Sequence, residues 1–72
     1  MQEIKERSQR RVLRLPEVIR RTGKRRTSLL EAVRHGQFPK PIRIGARAIG
    51  FIEAEVDAWI DARMVERDGG AR

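Results

Sequence analysis

A chain of 72 residues without cysteine makes one small domain that buries only about 60% of its unfolded surface, and neither disulfides nor a cysteine-rich metal site can reinforce it. Seventeen Lys and Arg against ten Asp and Glu leave a net charge of +7, which suits a polyanionic partner. The apolar runs are only a few residues long and Gly50 breaks the longest, so no segment approaches the roughly 20 residues that span a bilayer.

Residues 1–11 are highly polar and read as a flexible basic arm with no signal-peptide character, which sets the expected location as cytoplasmic, on the nucleoid. Val12-Leu13-Arg14-Leu15 alternates weakly, as a short strand would. Pro16 and Glu17 suit the first turn of a helix. Leu15, Val18 and Ile19 give that helix an apolar face, and Thr22-Gly23 ends it. A second helix fits Arg25 to His35, with Leu29, Ala32 and Val33 turned inward at helical spacing and Gly36 as the stop. Only Gly23-Lys24 separates the two helices, which forces the sharp corner of a helix-turn-helix.

The period then changes to two. Pro39 and Pro41 permit only an edge strand, Ile42 and Ile44 flank Arg43, Gly45-Ala46-Arg47 turns the chain, and Ile49 and Phe51 return. This predicts a β-hairpin whose Ile42, Ile44 and Ile49 pack on the helices, because two strands alone are marginal in water. A last helix starts near Glu53 with Glu53, Glu55 and Asp57 at its positive end and Arg63 and Arg67 toward its other end. Its apolar stripe is Val56, Trp59, Ile60 and Met64, with Trp59 expected in the core against the hairpin. Residues 67–72 have the composition of a flexible tail. The expected fold is mainly α with a small β-hairpin, in the order helix-turn-helix, hairpin, helix, over residues 12–66.

Charge is distributed unevenly. Residues 15–52 carry nine basic and two acidic groups, whereas residues 53–72 carry three basic and six acidic groups. Such a molecule orients a polyanion as well as attracting it. One Trp, two Phe and no Tyr give little material for stacking single-stranded bases, so double-stranded DNA is the expected partner. Arg25, Arg26, Thr27, Ser28, Glu31 and Arg34 form the candidate reading surface of the second helix. Arginine at a recognition-helix start can pair with guanine O6 and N7, and Glu31 can accept from a cytosine amino group. Lys40, Arg43 and Arg47 lie on or beside the hairpin, where a basic wing follows phosphates or enters a narrow minor groove; the plainer reading is a charged edge that prevents sheet-to-sheet association. Arg20, Arg21 and Lys24 suit phosphate positioning. Catalysis is not expected. His35 has no second His or Cys to share a metal, Ser8 and Ser28 have no base partner, and first-turn charge accounts for Glu53, Glu55 and Asp57. No cofactor, metal or small-molecule substrate is expected.

The stretch Arg14-Leu15-Pro16-Glu17-Val18 through Thr22-Gly23 resembles the opening of the AlpA family of phage-type regulators. Gly36-Gln37-Phe38-Pro39-Lys40-Pro41-Ile42-Arg43-Ile44-Gly45, Ile49-Gly50-Phe51-Ile52-Glu53 and Glu55-Val56-Asp57-Ala58-Trp59-Ile60 extend the resemblance over about residues 12–64. It implies a winged helix-turn-helix related to the MerR and excisionase folds. It also implies a transcriptional regulator of a prophage or integrative element, or an excisionase-like factor that bends DNA for an integrase. Arg25 departs from the family pattern, which usually has a capping Ser there, and Leu30 stands where the family often has an aromatic. A domain this small makes few base contacts, so copies on adjacent sites are expected, with an integrase or RNA polymerase as possible protein partner through the acidic last helix. The rival reading of another class is a protein-interaction adaptor using that helix.

Overall fold

The computed structural model describes residues 11–69. Its elements are β1 (Val12–Leu13), α1 (Leu15–Thr22), α2 (Arg26–Arg34), β2 (Ile42–Gly45), β3 (Ala48–Ile52) and α3 (Glu53–Arg67). The expected arm, apart from Arg11, and residues 70–72 of the expected tail lie outside the described residues. Arg11 itself is tied to the fold, its carbonyl accepting from the Glu53 N–H at 2.8 Å.

Local chemistry sets the helix ends. The Arg14 carbonyl accepts from the Glu17 and Val18 N–H groups as α1 begins, with Pro16 in its first turn. Gly23 and Gly36, both at φ 73°, close α1 and α2 in the left-handed conformation that a side chain disfavours. After α2 the Gly36 N–H donates to Val33 O and the Gln37 N–H to Ala32 O, a Schellman arrangement that satisfies the last carbonyls. His35 is the C-cap of that helix.

The three strands form an antiparallel sheet in the order β1-β3-β2. The short segment before α1 is therefore a third strand that completes the hairpin, with Val12 opposite Ile52 and Leu13 opposite Phe51. Helices α1 and α3 pack on β3. The core is Leu13, Val18, Leu29, Ala32, Phe38, Phe51 and Val56, flanked by the partly buried Leu15, Ile19, Val33, Trp59 and Ile60.

The hairpin departs from expectation in a specific way. Ile42 pairs with Gly50 and Arg43 with Ile49, so Ile42 and Ile49 lie on opposite faces of the sheet. Leu13, Phe51, Ile49 and Arg43 share the core-side face, whereas Val12, Gly50 and Ile42 share the outer one. None of the three isoleucines is buried: Ile42, Ile44 and Ile49 are 43%, 42% and 41% exposed. Only the inner end of β3 reaches the helices, where Phe51 is fully buried. On the outer face a Cβ on Gly50 would lie 2.2 Å from Val12 Cγ1 and 3.4 Å from Ile44 Cδ1, so glycine is what lets those side chains close over β3.

Trp59 also differs from expectation. It is partly buried and packs edge-on to Phe38 of the α2–β2 loop, with centroids 5.0 Å apart, instead of against the hairpin. Its indole N–H donates to the Gln37 carbonyl at 2.9 Å, and Phe38 in turn meets Phe51 at 5.8 Å. The loop thus fills the space between sheet and α3. Met64, at the outer end of the expected stripe, is exposed.

Candidate nucleic-acid interface

The α1–α2 junction positions the candidate reading helix. Thr22 Oγ1 donates to Val18 O at 2.9 Å and accepts from the Lys24 N–H at 3.2 Å, which fixes the chain as it leaves α1. Leu29 and Ala32 anchor α2 in the core. Arg25, Arg26, Thr27, Ser28, Glu31 and Arg34 are all exposed, so one buried stripe leaves every candidate of this helix facing outward. Arg25 is the N-cap, extended at φ −76° and ψ 155°, and makes no side-chain cap bond. Its guanidinium has no acceptor to offer the helix's free N–H groups.

Lys40, Arg43 and Arg47 are likewise exposed. Lys40 belongs to the loop before β2, Arg43 to β2, and Arg47 to the turn between β2 and β3. Arg43 and Ile49 face the same side of the sheet, and the register shifts between Arg43 and Gly45. A bulge of this kind increases local twist at the wing's end.

Ion pairing sorts the cations. Arg20 pairs with Glu17; Arg21 reaches Glu17, Glu53 at 2.8 Å and Asp57 at 3.2 Å; Arg63 pairs with Glu66 and Arg67 with Asp68. Arg63 also lies 5.1 Å from the Trp59 ring centroid, a cation–π distance. Among the described residues, Lys24, Arg25, Arg26, Arg34, Lys40, Arg43 and Arg47 carry no such partner, nor do Arg11 and Arg14. The only carboxylate between Gly23 and Ile52 is Glu31, which is also unpaired.

The three residues expected to position phosphate therefore separate. Lys24 is free, Arg20 shares an exposed pair, and the Arg21 guanidinium is filled by α3 carboxylates, with its side chain 29% exposed. The hydrogen bond to Glu53 raises the Arg21 pKa against the opposing effect of burial, with the Glu53 and Asp57 charges adding to the rise. Arg20, by hydrogen bond and then by charge, holds the Glu17 carboxyl below the usual carboxylate value, with Arg21 reinforcing it.

Sequence reasoning missed the Arg21 tie and the Phe38 wedge. The first has no local signal, since its partners lie 32 and 36 residues away. The second had one: a lone aromatic between Gly36 and Pro39, in a loop otherwise polar or proline, is a packing residue. Among the described residues no helix is long and apolar enough to cross a membrane, and no group of three His, Cys, Asp or Glu is placed to hold a metal ion.

Two helices joined by a tight turn, then an exposed hairpin and a closing helix on the same small sheet, define a winged helix-turn-helix. The family described as Prophage CP4-57 regulatory protein (AlpA) matches residues 11–64, and the chain belongs to it. It is 38% identical over 63 residues to the DNA-binding transcriptional activator AlpA of Escherichia coli K12, covering 79% of this chain and 90% of that protein. It is also 35% identical over 63 residues to the uncharacterized protein ORF88 of Enterobacteria phage P4, covering 88% of this chain and 72% of that one. No solved structure matches it.

Proposed function

We propose that this protein is a sequence-specific double-stranded DNA-binding regulator of transcription from a prophage or integrative element. The carrying observation is the run of seven cations without carboxylate partners from Lys24 to Arg47, covering the turn, α2 and the wing. Cations held in salt bridges are already neutralised; unpaired ones clustered on a small domain repel each other and gain from a polyanion. The relative named as a DNA-binding transcriptional activator supports a regulator over an excisionase.

In this reading α2 lies in the major groove. Arg25 and Arg26 at its start offer paired donors to guanine, and Thr27, Ser28, Glu31 and Arg34 read or flank neighbouring bases. Lys40, Arg43 and Arg47 follow the adjacent backbone or enter the minor groove. Lys24 and Arg20 position phosphates, and Arg21 is assigned to the α1–α3 tie instead. Copies on adjacent sites supply the specificity one small module lacks. An integrase or polymerase would meet α3 at Glu55 and Asp61, because Glu53, Asp57, Glu66 and Asp68 are occupied by arginines.

Selection of bound sequences from random duplexes, followed by a salt titration on the selected site, tests the proposal. Enrichment of a defined site is expected, with a slope of log affinity against log salt of about −4.5 for about five neutralised phosphates. Arg26→Ala should relax preference at one base position, and Lys24→Ala should reduce the magnitude of the slope by about 0.9, while Arg67→Ala leaves both unchanged. A pool without enrichment would remove the sequence-specific reading.

A further inference from the structure

The β1–α1 junction carries a second cationic feature that the turn, α2 and wing do not account for. A cleft of about 370 Å³ there has Arg11, Arg14, Arg20 and Arg21 in its wall, beside Glu17 and the β1 strand. Four arginines thus line a cleft whose one acidic residue, Glu17, is already shared between Arg20 and Arg21, and the Arg21 guanidinium is further occupied by Glu53 and Asp57. Arg11 and Arg14 are exposed, and neither side chain has an ion pair among the described residues. Their backbones are committed to the fold, Arg11 O to the Glu53 N–H and Arg14 O to the Glu17 and Val18 N–H groups. The side chains are thereby carried on a fixed frame.

The topology sets Arg11 and Arg14 apart from α2 and the wing, while Arg20, the phosphate positioner of α1, stands at the cleft's edge. Arg11 lies beside the β3–α3 junction, whereas the wing's turn is at the other end of β3, about 13 Å away along a strand of five residues. Arg14 precedes α1, and the corner leading to α2 follows it, about 12 Å away along eight helical residues. Mutual repulsion among unpaired arginines is a standing cost to a small domain, and a bound polyanion relieves it. Guanidinium forks match phosphate oxygens better than any other side chain does.

We infer that the β1–α1 cleft is a second binding site for DNA backbone phosphates, with Arg11 and Arg14 as its free donors. The inference rests on the DNA-binding reading and adds a contact to it. The phosphates come either from the far side of the duplex that α2 occupies or from a second duplex, which would make the protein a bridge.

The test uses the whole chain with both arginines changed to alanine. Melting temperature is expected to hold, since the bonded atoms are backbone carbonyls; should it fall, the single variants Arg11→Gln and Arg14→Gln serve instead. If the cleft engages the same duplex, the salt slope on one selected duplex falls by about 1.8, base preference is retained, and Arg11→Lys with Arg14→Lys restores the slope. If it engages a second duplex, that slope is unchanged, but co-capture of two differently labelled duplexes, seen with wild type, is lost. A variant with wild-type slope and wild-type co-capture overturns the second site and leaves the reading of α2 and the wing standing. A wild-type chain that retains no duplex even at low salt overturns that reading, and this inference with it.

Discussion

The Nη2 of Arg21 lies 2.8 Å from Glu53 Oε2, joining the last turn of α1 to the first turn of α3. Asp57 at 3.2 Å and Glu17 at 3.5 Å complete the group. A single exposed pair contributes little, but one guanidinium that serves three carboxylates spreads its ordering cost over several bonds. Arg21→Ala is expected to lower the melting temperature, with a gap to wild type that narrows as salt rises. Equal melting at low ionic strength would show that packing alone docks α3.

The same group sets an acid-side pH dependence. The Glu17 pKa is lowered in the fold from an ordinary 4.5, so its contribution is fully present above that value and is lost as pH falls through the lowered one. Thermal melts of wild type and Glu17→Gln should therefore differ near neutrality and converge at low pH. Parallel curves would mean that the carboxylate's charge is irrelevant to stability.

Phe38 sits between Phe51 and Trp59 and is only 4% exposed. Truncation to alanine removes both edge-to-face contacts and leaves a cavity, at about 3–5 kcal/mol. That is comparable to the whole stability of a domain this small, roughly 5 kcal/mol. Phe38→Ala is expected to be largely unfolded at 37 °C with red-shifted Trp59 emission, while Phe38→Leu retains a cooperative transition. A well-folded alanine variant would contradict the wedge.

Gly50 makes the outer sheet face testable. An alanine methyl would meet Val12 Cγ1 at 2.2 Å, and Val12 belongs to a strand of only two residues. Gly50→Ala should cost about 1–3 kcal/mol in urea unfolding and loosen β1, speeding exchange of the Glu53 amide that bonds to Arg11 O. Adding Val12→Ala should recover part of the loss, a coupling expected only of touching residues. Independent, additive effects would refute the contact.

How much of this was legible in the sequence depends on the range of the cause. Pro16, Gly23 and Gly36 act within one turn, so the ends of α1 and α2 were readable, as was the inward set Leu29, Ala32 and Val33. The hairpin's position was also readable, from its prolines and its turn. Its facing was not, because a pattern of period two fixes faces within one strand and says nothing about register between strands. Pairing Arg43 with Ile49 sends Ile42 and Ile49 to opposite sides. The exposed candidates of α2 followed directly from its buried stripe. The separation of Arg21 from Lys24 did not, since it depends on carboxylates that only the folded chain brings near.

Arg25 is where stability and the proposed function diverge. As the N-cap of α2 it is extended, and it supplies no side-chain acceptor, so the first turn lacks a bond that serine would provide. Arg25→Ser is expected to stabilise the protein by about 1 kcal/mol, a rise in melting temperature of about 4–8 °C. The same change removes a guanidinium from the start of the reading helix. DNA affinity should therefore fall while the melting temperature climbs, with the salt slope lower by about 0.9 if that group met a phosphate. If it met a guanine edge instead, preference at one base pair should relax. Paired melts and titrations on the selected duplex separate these outcomes, and a stabilised variant with undiminished affinity and selectivity would remove Arg25 from the interface.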